Sequence, residues 1–384
     1  MRILVIFSLI FLLVSQLAYG KHTKVKKRPE KPFKSFVVVE EKSGKILMSE
    51  NEKEKRIPAS LTKLMLSLLV LEKLEAKEIS LTDKVTVSKK AAQMGGSQVF
   101  LKEGEVFTVE ELMKATLVAS GNDAAYALAE KIAGSAENFV QLMNEKAQSL
   151  GMKDTIFRSV SGLPVSNSND TDITTCVDMA ILARNLLKYP KILEWTSIKK
   201  DTFREGKFLM VNHNKLLSKM DGIVDGLKTG YLKSSGYNIV TTAKKDNFRV
   251  ILVVMGSPSC RSRDDFVIDL INRVYSEWKL KDIVKKGEVV NKDIILPDGK
   301  FRKIKGVVAQ TFFYPIRKNN PGIAEKEIRL PEKLSGEVKE GQKLGEILIK
   351  MDGEPIGNVD IVSPVYVPKA NLFTRIIRRV GLNI

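Results

Sequence analysis

The chain has 384 residues, of which 43% are hydrophobic and 28% charged, as in a globular protein of two or three domains. Its 63 Lys and Arg residues outnumber its 45 Asp and Glu residues, and the formal charge of +18 favours an anionic partner. With only two histidines, a multi-histidine metal site is excluded, and a Ser-His-Asp triad would have to depend on His213. The two cysteines, Cys176 and Cys260, are too few for a disulfide framework, and we expect two free thiols.

The N-terminus has the pattern of a secretory signal peptide over residues 1–20. Arg2 precedes an apolar run over residues 3–14, and the small residues Ala18 and Gly20 suit cleavage before Lys21. The apolar run is short for a membrane-spanning helix, so an uncleaved anchor is the weaker alternative. Export argues against nucleic acid as the partner and favours anionic lipids or an acidic polymer.

Residues 21–34 are basic and contain two prolines, which predicts an exposed linker. Two apolar runs, 36–39 and 45–48, flank a Ser-Gly pair and predict a β-hairpin. A helix is expected over residues 59–74. It is apolar nearly all round, as in a buried helix, and Ser60 and Lys63 are the polar exceptions at its start.

Residues 80–190 are expected to be mostly helical. Two helices, 109–118 and 123–133, would meet at Ser120-Gly121-Asn122, and a third at 179–187 would be capped by Thr175 and Asp178. After Gly226, strands are predicted at 236–243 and 248–255, then an amphipathic helix at 264–278. The expected product over residues 35–279 is an α/β (α+β) domain, with an antiparallel sheet flanked by helices and an all-helical lobe.

Beyond residue 281, short β-like runs alternate with Gly and Pro, which predicts a small all-β domain over residues 281–368. The runs lie at 288–290, 293–296, 306–312, 326–330, 344–350 and 357–362. Residues 371–384 then combine an apolar stripe with arginines, a pattern typical of a helix in a membrane interface. The alternative is a terminal helix docked on its own domain. The stripe comprises Leu372, Phe373, Ile376, Ile377 and Val380, and the arginines are Arg375, Arg378 and Arg379.

Three short motifs point to serine chemistry supported by lysines. They are Ser60-Leu61-Thr62-Lys63, Ser120-Gly121-Asn122 and Lys228-Thr229-Gly230, each weak alone but informative in this order. Three positions apart on a helix, Ser60 and Lys63 share one face. Lys63 can accept the serine proton only if burial and a second cation, Lys228, lower its pKa.

The remaining motif residues suggest supporting roles. Ser120 could relay a proton to the leaving amine, and Asn122 could bind a substrate amide or steady Lys63. Gly230 would let an extended substrate lie close to its strand. The N–H groups of Ser60 and Tyr231 are candidates for an oxyanion hole.

Taken together, these motifs resemble those of the low-molecular-mass penicillin-binding proteins of the serine-type D-alanyl-D-alanine carboxypeptidase family (peptidase S11). The resemblance covers nearly the whole mature chain and includes residues 58–63, 120–125, 161–163, 225–231 and 236–238. It implies a β-lactamase/transpeptidase-like fold, a stalk-like β domain and a C-terminal membrane-anchoring helix. It also implies roles residue by residue: acylation of Ser60, general base Lys63, a second element of Ser120 and Asn122, and carboxylate binding by Lys228, Thr229 and Arg263.

The implied reaction removes the terminal D-alanine of a peptidoglycan stem pentapeptide through an acyl-enzyme, with β-lactams as mimics and with no metal or cofactor. Its setting would be peptidoglycan remodelling and cell shape, at the periplasmic face of the cytoplasmic membrane. Two positions depart from the family pattern: Leu232 replaces a small hydroxyl residue, and His213 stands where some relatives have Arg. The alternatives are a D,D-endopeptidase, a β-lactamase, for which no Glu-x-x-Leu-Asn element is found, and a non-catalytic peptidoglycan-binding scaffold.

Overall fold

The computed structural model describes residues 31–165 and 170–379, apart from the side chains of the last two. The predicted signal peptide, most of the predicted linker and residues 380–384 lie outside this part of the chain. Phe33 falls within the predicted exposed linker, yet it is 6% exposed. Its ring stacks on that of Phe266 with the centroids 4.5 Å apart. Phe33 is thereby part of the apolar core that lies between the sheet and the helix carrying Phe266. The linker prediction therefore extends too far toward the sheet.

Sixteen strands are described. They are β1 (Ser35–Glu40), β2 (Ile46–Glu50), β3 (Lys84–Thr86), β4 (Val106–Thr108), β5 (Lys200–Phe203), β6 (Phe208–Val211), β7 (Val224–Leu232), β8 (Gly236–Lys245), β9 (Phe248–Ser257), β10 (Trp278–Val284), β11 (Val289–Ile295), β12 (Lys303–Val308), β13 (Phe312–Arg317), β14 (Ala324–Arg329), β15 (Lys343–Met351) and β16 (Glu354–Val362).

The α-helices among the described residues follow in the same way. They are α1 (Lys63–Glu75), α2 (Lys89–Ala92), α3 (Val109–Leu117), α4 (Asn122–Ala133), α5 (Ala136–Ser149), α6 (Cys176–Leu186), α7 (Lys191–Thr196), α8 (Leu216–Lys219), α9 (Cys260–Glu277) and α10 (Leu372–Arg379).

The first domain is built on a five-stranded antiparallel sheet in the order β2-β1-β9-β8-β7. Successive side chains of a strand point to opposite faces, and β9 shows the consequence. Ile251 and Val253 join the core under α1, α3, α4, α5 and α6. Leu252 and Val254 join a second core under α9. The predicted antiparallel sheet with helices on both faces is confirmed.

The predicted first helix begins as a single 3-10 turn, Ala59–Thr62, before α1 continues it. The predicted helices at the second motif are confirmed as α3 and α4. The prediction of a mostly helical stretch over residues 80–190 was too broad. This stretch also holds the antiparallel pair of β3 and β4, and its described residues between α5 and α6 form no helix. They instead form a loop that reaches the start of α1.

The second domain is all-β, as predicted. Its five-stranded sheet has the order β11-β12-β16-β15-β14, and β10 pairs with β13 beside it. Helix α9 ends at Glu277 and β10 begins at Trp278, so no loop separates the domains. The Lys45 ammonium lies 4.6 Å from the ring centroid of Tyr314, which gives a cation–π contact across the junction.

Helix α10 follows the second domain and is held to it by Arg375, whose guanidinium lies 3.3 Å from the Asp298 carboxylate. Leu372, Phe373 and Ile376 remain 69%, 73% and 52% exposed. The described helices include none that is both long and apolar enough to cross a bilayer.

Candidate active site

The three sequence motifs converge on one cavity of about 410 Å³ at the edge of the first sheet. The 3-10 turn before α1 carries Ser60, the loop before α4 carries Ser120, and β7 carries the third motif. The residues lining the cavity include Ser60, Ser120, Thr229, Gly230, Tyr231 and Arg263. Lys63 and Lys228 lie behind this wall, at 0% and 2% exposure.

The Lys63 amine is surrounded by three hydrogen-bond acceptors. Its Nζ lies 3.1 Å from Ser60 Oγ, 2.6 Å from Asn122 Oδ1 and 2.8 Å from the Ser161 carbonyl oxygen. Three N–H bonds of an ammonium satisfy all three. A neutral amine has only two N–H bonds and one lone pair. Of the three partners only the Ser60 hydroxyl can also donate, so the lone pair of a neutral Lys63 is directed to the serine proton.

The surroundings favour that neutral form. Burial, followed by the nearby Lys228 cation, holds the pKa of Lys63 well below its usual value. The carboxylates of Asp172 and Asp123 act in the opposite direction and raise the same pKa. Lys63 therefore combines serine contact, complete burial and a lowered pKa, the properties expected of a lysine that accepts a proton.

The second motif is held by hydrogen bonds at the start of α4. Ser120 has a left-handed backbone, with a φ of 61°. The Asn122 side chain donates through Nδ2 to the Gly95 carbonyl at 2.7 Å, and it accepts from Lys63 through Oδ1. Asp123 accepts from the N–H groups of Val99 and Leu101. This arrangement fixes the amide of Asn122 against the lysine.

The third motif lies on the outer strand of the sheet. Lys228 Nζ donates to the Thr229 carbonyl at 3.1 Å. Burial, and then the Arg263 cation, lower the pKa of Lys228 to about 7. A Cβ added to Gly230 would lie 2.6 Å from the Pro58 oxygen and 3.1 Å from the Ser60 nitrogen, so only glycine fits beside the serine. Leu232 ends the strand, and its N–H donates to Ser235 Oγ at 3.0 Å.

Arg263 reaches the cavity from the first turn of α9. Its Nη1 donates to the Asn238 carbonyl at 3.3 Å. His213 also lines the cavity. Partial desolvation at the wall, and then the cations Lys228, Lys63 and Arg263, lower the pKa of His213 to about 4, although the ring keeps an exposed face. Near neutral pH the histidine is thus an uncharged group beside three basic side chains.

Two further contacts that support the site lie in segments 161–163 and 236–238. These segments resemble the family pattern, but no role was predicted for them. The Ser161 carbonyl is one. The other is Asn238, which donates through Nδ2 to the Ile57 and Pro58 carbonyls and accepts from the Gly256 N–H. Asn238 thereby joins the loop before Ser60 to two strands of the sheet. Because it lies about 180 positions from that loop, no local pattern could have predicted this contact.

The two thiols are separate. Cys176 is fully buried under the sheet, while Cys260 is half-buried and lines the cavity, where Arg263 Nη2 donates to its sulfur at 3.4 Å. The described residues include no group of three or more His, Cys, Asp and Glu side chains placed to hold a metal ion. A cleft of about 660 Å³ between α1 and α7 is larger than the active-site cavity, but it is lined by none of the motif residues.

Comparison with known proteins gives consistent matches over both domains. The family model for D-alanyl-D-alanine carboxypeptidase matches residues 22–259, and that for the C-terminal domain of penicillin-binding protein 5 matches residues 278–369. The chain is 37% identical to D-alanyl-D-alanine carboxypeptidase DacF of Bacillus subtilis, over 91% of this chain and 89% of that protein.

Solved structures give the same result. Penicillin binding protein 5 from Haemophilus influenzae is similar, with a TM-score of 0.74, 30% identity, and coverage of 89% of this chain and 99% of that one. Penicillin-Binding Protein D2 from Listeria monocytogenes in its ampicillin-bound form is similar, with a TM-score of 0.58 and 29% identity. That match covers 64% of this chain and 98% of the Listeria chain.

Proposed function

Because the chain belongs to the D-alanyl-D-alanine carboxypeptidase family, we propose that it removes the terminal D-alanine of peptidoglycan stem pentapeptides through an acyl-enzyme on Ser60. One observation carries this proposal. The buried Lys63 amine lies 3.1 Å from Ser60 Oγ, and its other two partners can only accept hydrogen bonds.

In the proposed reaction, Ser60 Oγ attacks the carbonyl carbon of the penultimate D-alanine as its proton passes to Lys63. The N–H groups of Ser60 and Tyr231 donate hydrogen bonds to the carbonyl oxygen and stabilise the negative charge that develops on it. Ser120 relays that proton from the Lys63 ammonium to the leaving amine of the terminal D-alanine as the peptide C–N bond breaks. Water then hydrolyses the ester and regenerates Ser60.

The same geometry supports recognition of the substrate carboxylate by Lys228, Thr229 and Arg263. A bound carboxylate favours the ammonium form of Lys228, so the pKa of this lysine rises when the site is filled. β-Lactams carry a comparable carboxylate and amide. The ampicillin-bound form of the Listeria relative supports β-lactam binding by this chain, and the proposal assigns the bond formed to Ser60.

The test is D-alanine release from a peptide ending in D-Ala-D-Ala, using the chain from Lys21 onward beside its Ser60→Ala variant. We expect release by the first protein only. Release from a cross-linked dimer but not from the pentapeptide would favour the endopeptidase. Rapid turnover of penicillin would favour the β-lactamase. If Ser60 is not acylated and no D-alanine is released, the remaining alternative is a non-catalytic peptidoglycan-binding scaffold.

We also propose that the protein is exported and that α10 places it on an anionic membrane surface. The exposed Leu372, Phe373 and Ile376, together with the +18 charge, support this arrangement. Sedimentation with vesicles containing phosphatidylglycerol tests it. We expect Phe373→Glu to weaken binding, whereas Ile323→Glu, at a 70% exposed apolar position of the β domain, should bind as the parent does. Equal binding by all three proteins would contradict this part of the proposal.

A further inference from the structure

Asp172 is a buried carboxylate close to the active site for which the motifs provide no role. It is 1% exposed and lies in the loop between α5 and α6. Its Oδ2 accepts from Thr62 Oγ1 at 2.5 Å and from Ser159 Oγ at 3.2 Å. Its Oδ1 accepts from the N–H groups of Arg158 and Ser159 at 2.7 and 3.0 Å.

These contacts join two segments that both reach Lys63. Thr62 is the residue directly before the lysine. Ser159 accepts through Oγ from the Gly162 N–H at 2.8 Å, which closes a tight turn around Ser161. The Ser161 carbonyl in that turn accepts from Lys63. Asp172 thus fixes the position of one of the three partners of the amine without touching the amine itself.

The opposite side of the turn is equally constrained. Gly162 has a φ of 90°, and a Cβ there would lie 2.0 Å from the Ala59 oxygen. The turn is therefore packed against the residue that precedes Ser60. Between this backbone contact and the Asp172 carboxylate, the Ser161 carbonyl has little freedom to move away from the lysine.

Asp172 also acts on Lys63 through its charge. Among the described residues, the charged groups that influence the pKa of Lys63 are Lys228 on β7, Asp123 on α4 and Asp172 in the loop. His213, across the cavity, is in turn influenced by Lys63. Lys228 lowers the pKa of Lys63, and the two carboxylates raise it, Asp172 more strongly than Asp123.

We infer that Asp172 is a positioning residue for the proposed acylation of Ser60. It holds the turn over residues 159–162 against the start of α1, and its negative charge opposes that of Lys228 in setting the protonation of Lys63. The role has two separable parts, one in geometry and one in charge. It rests on the proposed function, because it matters only if Lys63 takes the proton of Ser60.

The experiment measures the rate of Ser60 acylation by a fluorescent penicillin between pH 4.5 and 9 for four proteins. Asp172→Asn removes the charge and keeps the shape. Thr62→Val removes one hydrogen bond and keeps the carboxylate. Asp178→Asn is the matched control, because Asp178 is a buried carboxylate after the same loop that accepts from Thr155 and Asp154 and is not among the charges acting on Lys63.

For Asp172→Asn we expect acylation at the optimum to fall about tenfold, because the Ser161 carbonyl is held less firmly. The acidic limb of its profile of acylation rate against pH should move to lower pH by roughly one unit. The reason is that loss of the carboxylate disfavours the ammonium form of Lys63. Thr62→Val should show the slower rate with a smaller shift, because burial raises the pKa of Asp172 and the lost Thr62 hydrogen bond no longer opposes that rise. Asp178→Asn should keep both the rate and the limb of the parent protein.

The outcomes distinguish this inference from the proposed function. If the parent protein is not acylated, the proposed function fails. If the parent is acylated and Asp172→Asn matches Asp178→Asn in both the acylation rate and the position of the acidic limb, only the role of Asp172 is overturned; a match in the limb alone overturns the charge part. Should Asp172→Asn fail to fold, an unchanged acylation rate in Thr62→Val, with a parental melting temperature, would overturn the geometric part.

Discussion

The Arg263 guanidinium donates to the carboxylate of its sequence neighbour Asp264 at 2.7 Å, and both side chains are buried. The Arg263 guanidinium, which lines the cavity, is thus already paired with a carboxylate on the side away from the cavity. The Asp264 carboxylate also has a second cation beside it, Lys219, whose ammonium lies 3.3 Å away. This relationship couples substrate binding to stability, because any change to Arg263 affects both.

Replacing Arg263 by Ala should raise the KM for a D-Ala-D-Ala peptide about tenfold with little change in kcat, since a charge-assisted contact is lost on binding. The same change removes the Arg263 cation from the buried Asp264 carboxylate, which should cost roughly 3 kcal/mol of unfolding free energy. Steady-state kinetics and urea unfolding measure the two effects. Arg261→Ala, at a 90% exposed side chain two positions away, is the control. If the Arg263 variant has the KM of the parent protein, this arginine does not contribute to substrate binding.

Lys228 should determine how the reaction responds to alkaline pH. Its pKa of about 7 means that the ammonium is present below pH 7 and is lost as the pH rises above it. We expect kcat/KM for the peptide to fall up to about tenfold per pH unit on that side. In Lys228→Arg the cation persists, so the decline should move upward by more than one unit. Lys215→Arg, an exposed position of the same cavity, is the comparison. If kcat/KM declines over the same pH range in Lys228→Arg and Lys215→Arg, the titrating group is not Lys228.

Gly230→Ala should nearly abolish acylation. The added methyl carbon would approach the Pro58 oxygen to 2.6 Å and must displace the turn that carries Ser60. We expect a loss of roughly 100-fold or more in acylation, because displacements of about 1 Å have effects of that size. Gly95→Ala is a fair control, since an added carbon there meets no atom within 4 Å. Penicillin labelling followed over time measures both, and rapid labelling of Gly230→Ala would show that the turn can adjust.

The two thiols should react very differently. Burial raises the pKa of Cys176 to about 12, and this side chain is fully buried. Cys260 lines the cavity, so a disulfide-forming reagent should modify one thiol in the folded protein and two after unfolding. Modification should block acylation by filling the space beside Arg263. The Cys260→Ser variant should stay active under the same treatment. Full activity of the modified parent protein would place the thiol outside the substrate path.

The parts of this protein that could be predicted from sequence are those with local signals. The apolar run of α1, the two apolar strand segments at β8 and β9 around their polar turn, and the spacing of Ser60 and Lys63 all follow from neighbouring residues. The hairpin of β5 and β6 escaped prediction because its strands have four residues each and little alternation. The contact between Asp172 and Thr62 spans 110 positions, and only the folded loop brings them together. The burial of Phe33 depends likewise on Phe266, far along the chain.

The direct passage from α9 into β10 has a mechanical consequence. A helix that becomes a strand at Glu277 and Trp278, with Lys45 packed against Tyr314 beside it, leaves no flexible connection at which the first domain could turn. The junction therefore holds the active-site cavity in one orientation relative to the β domain. A substrate must accordingly approach Ser60 from the side on which that fixed cavity opens, since the two domains cannot turn to meet it.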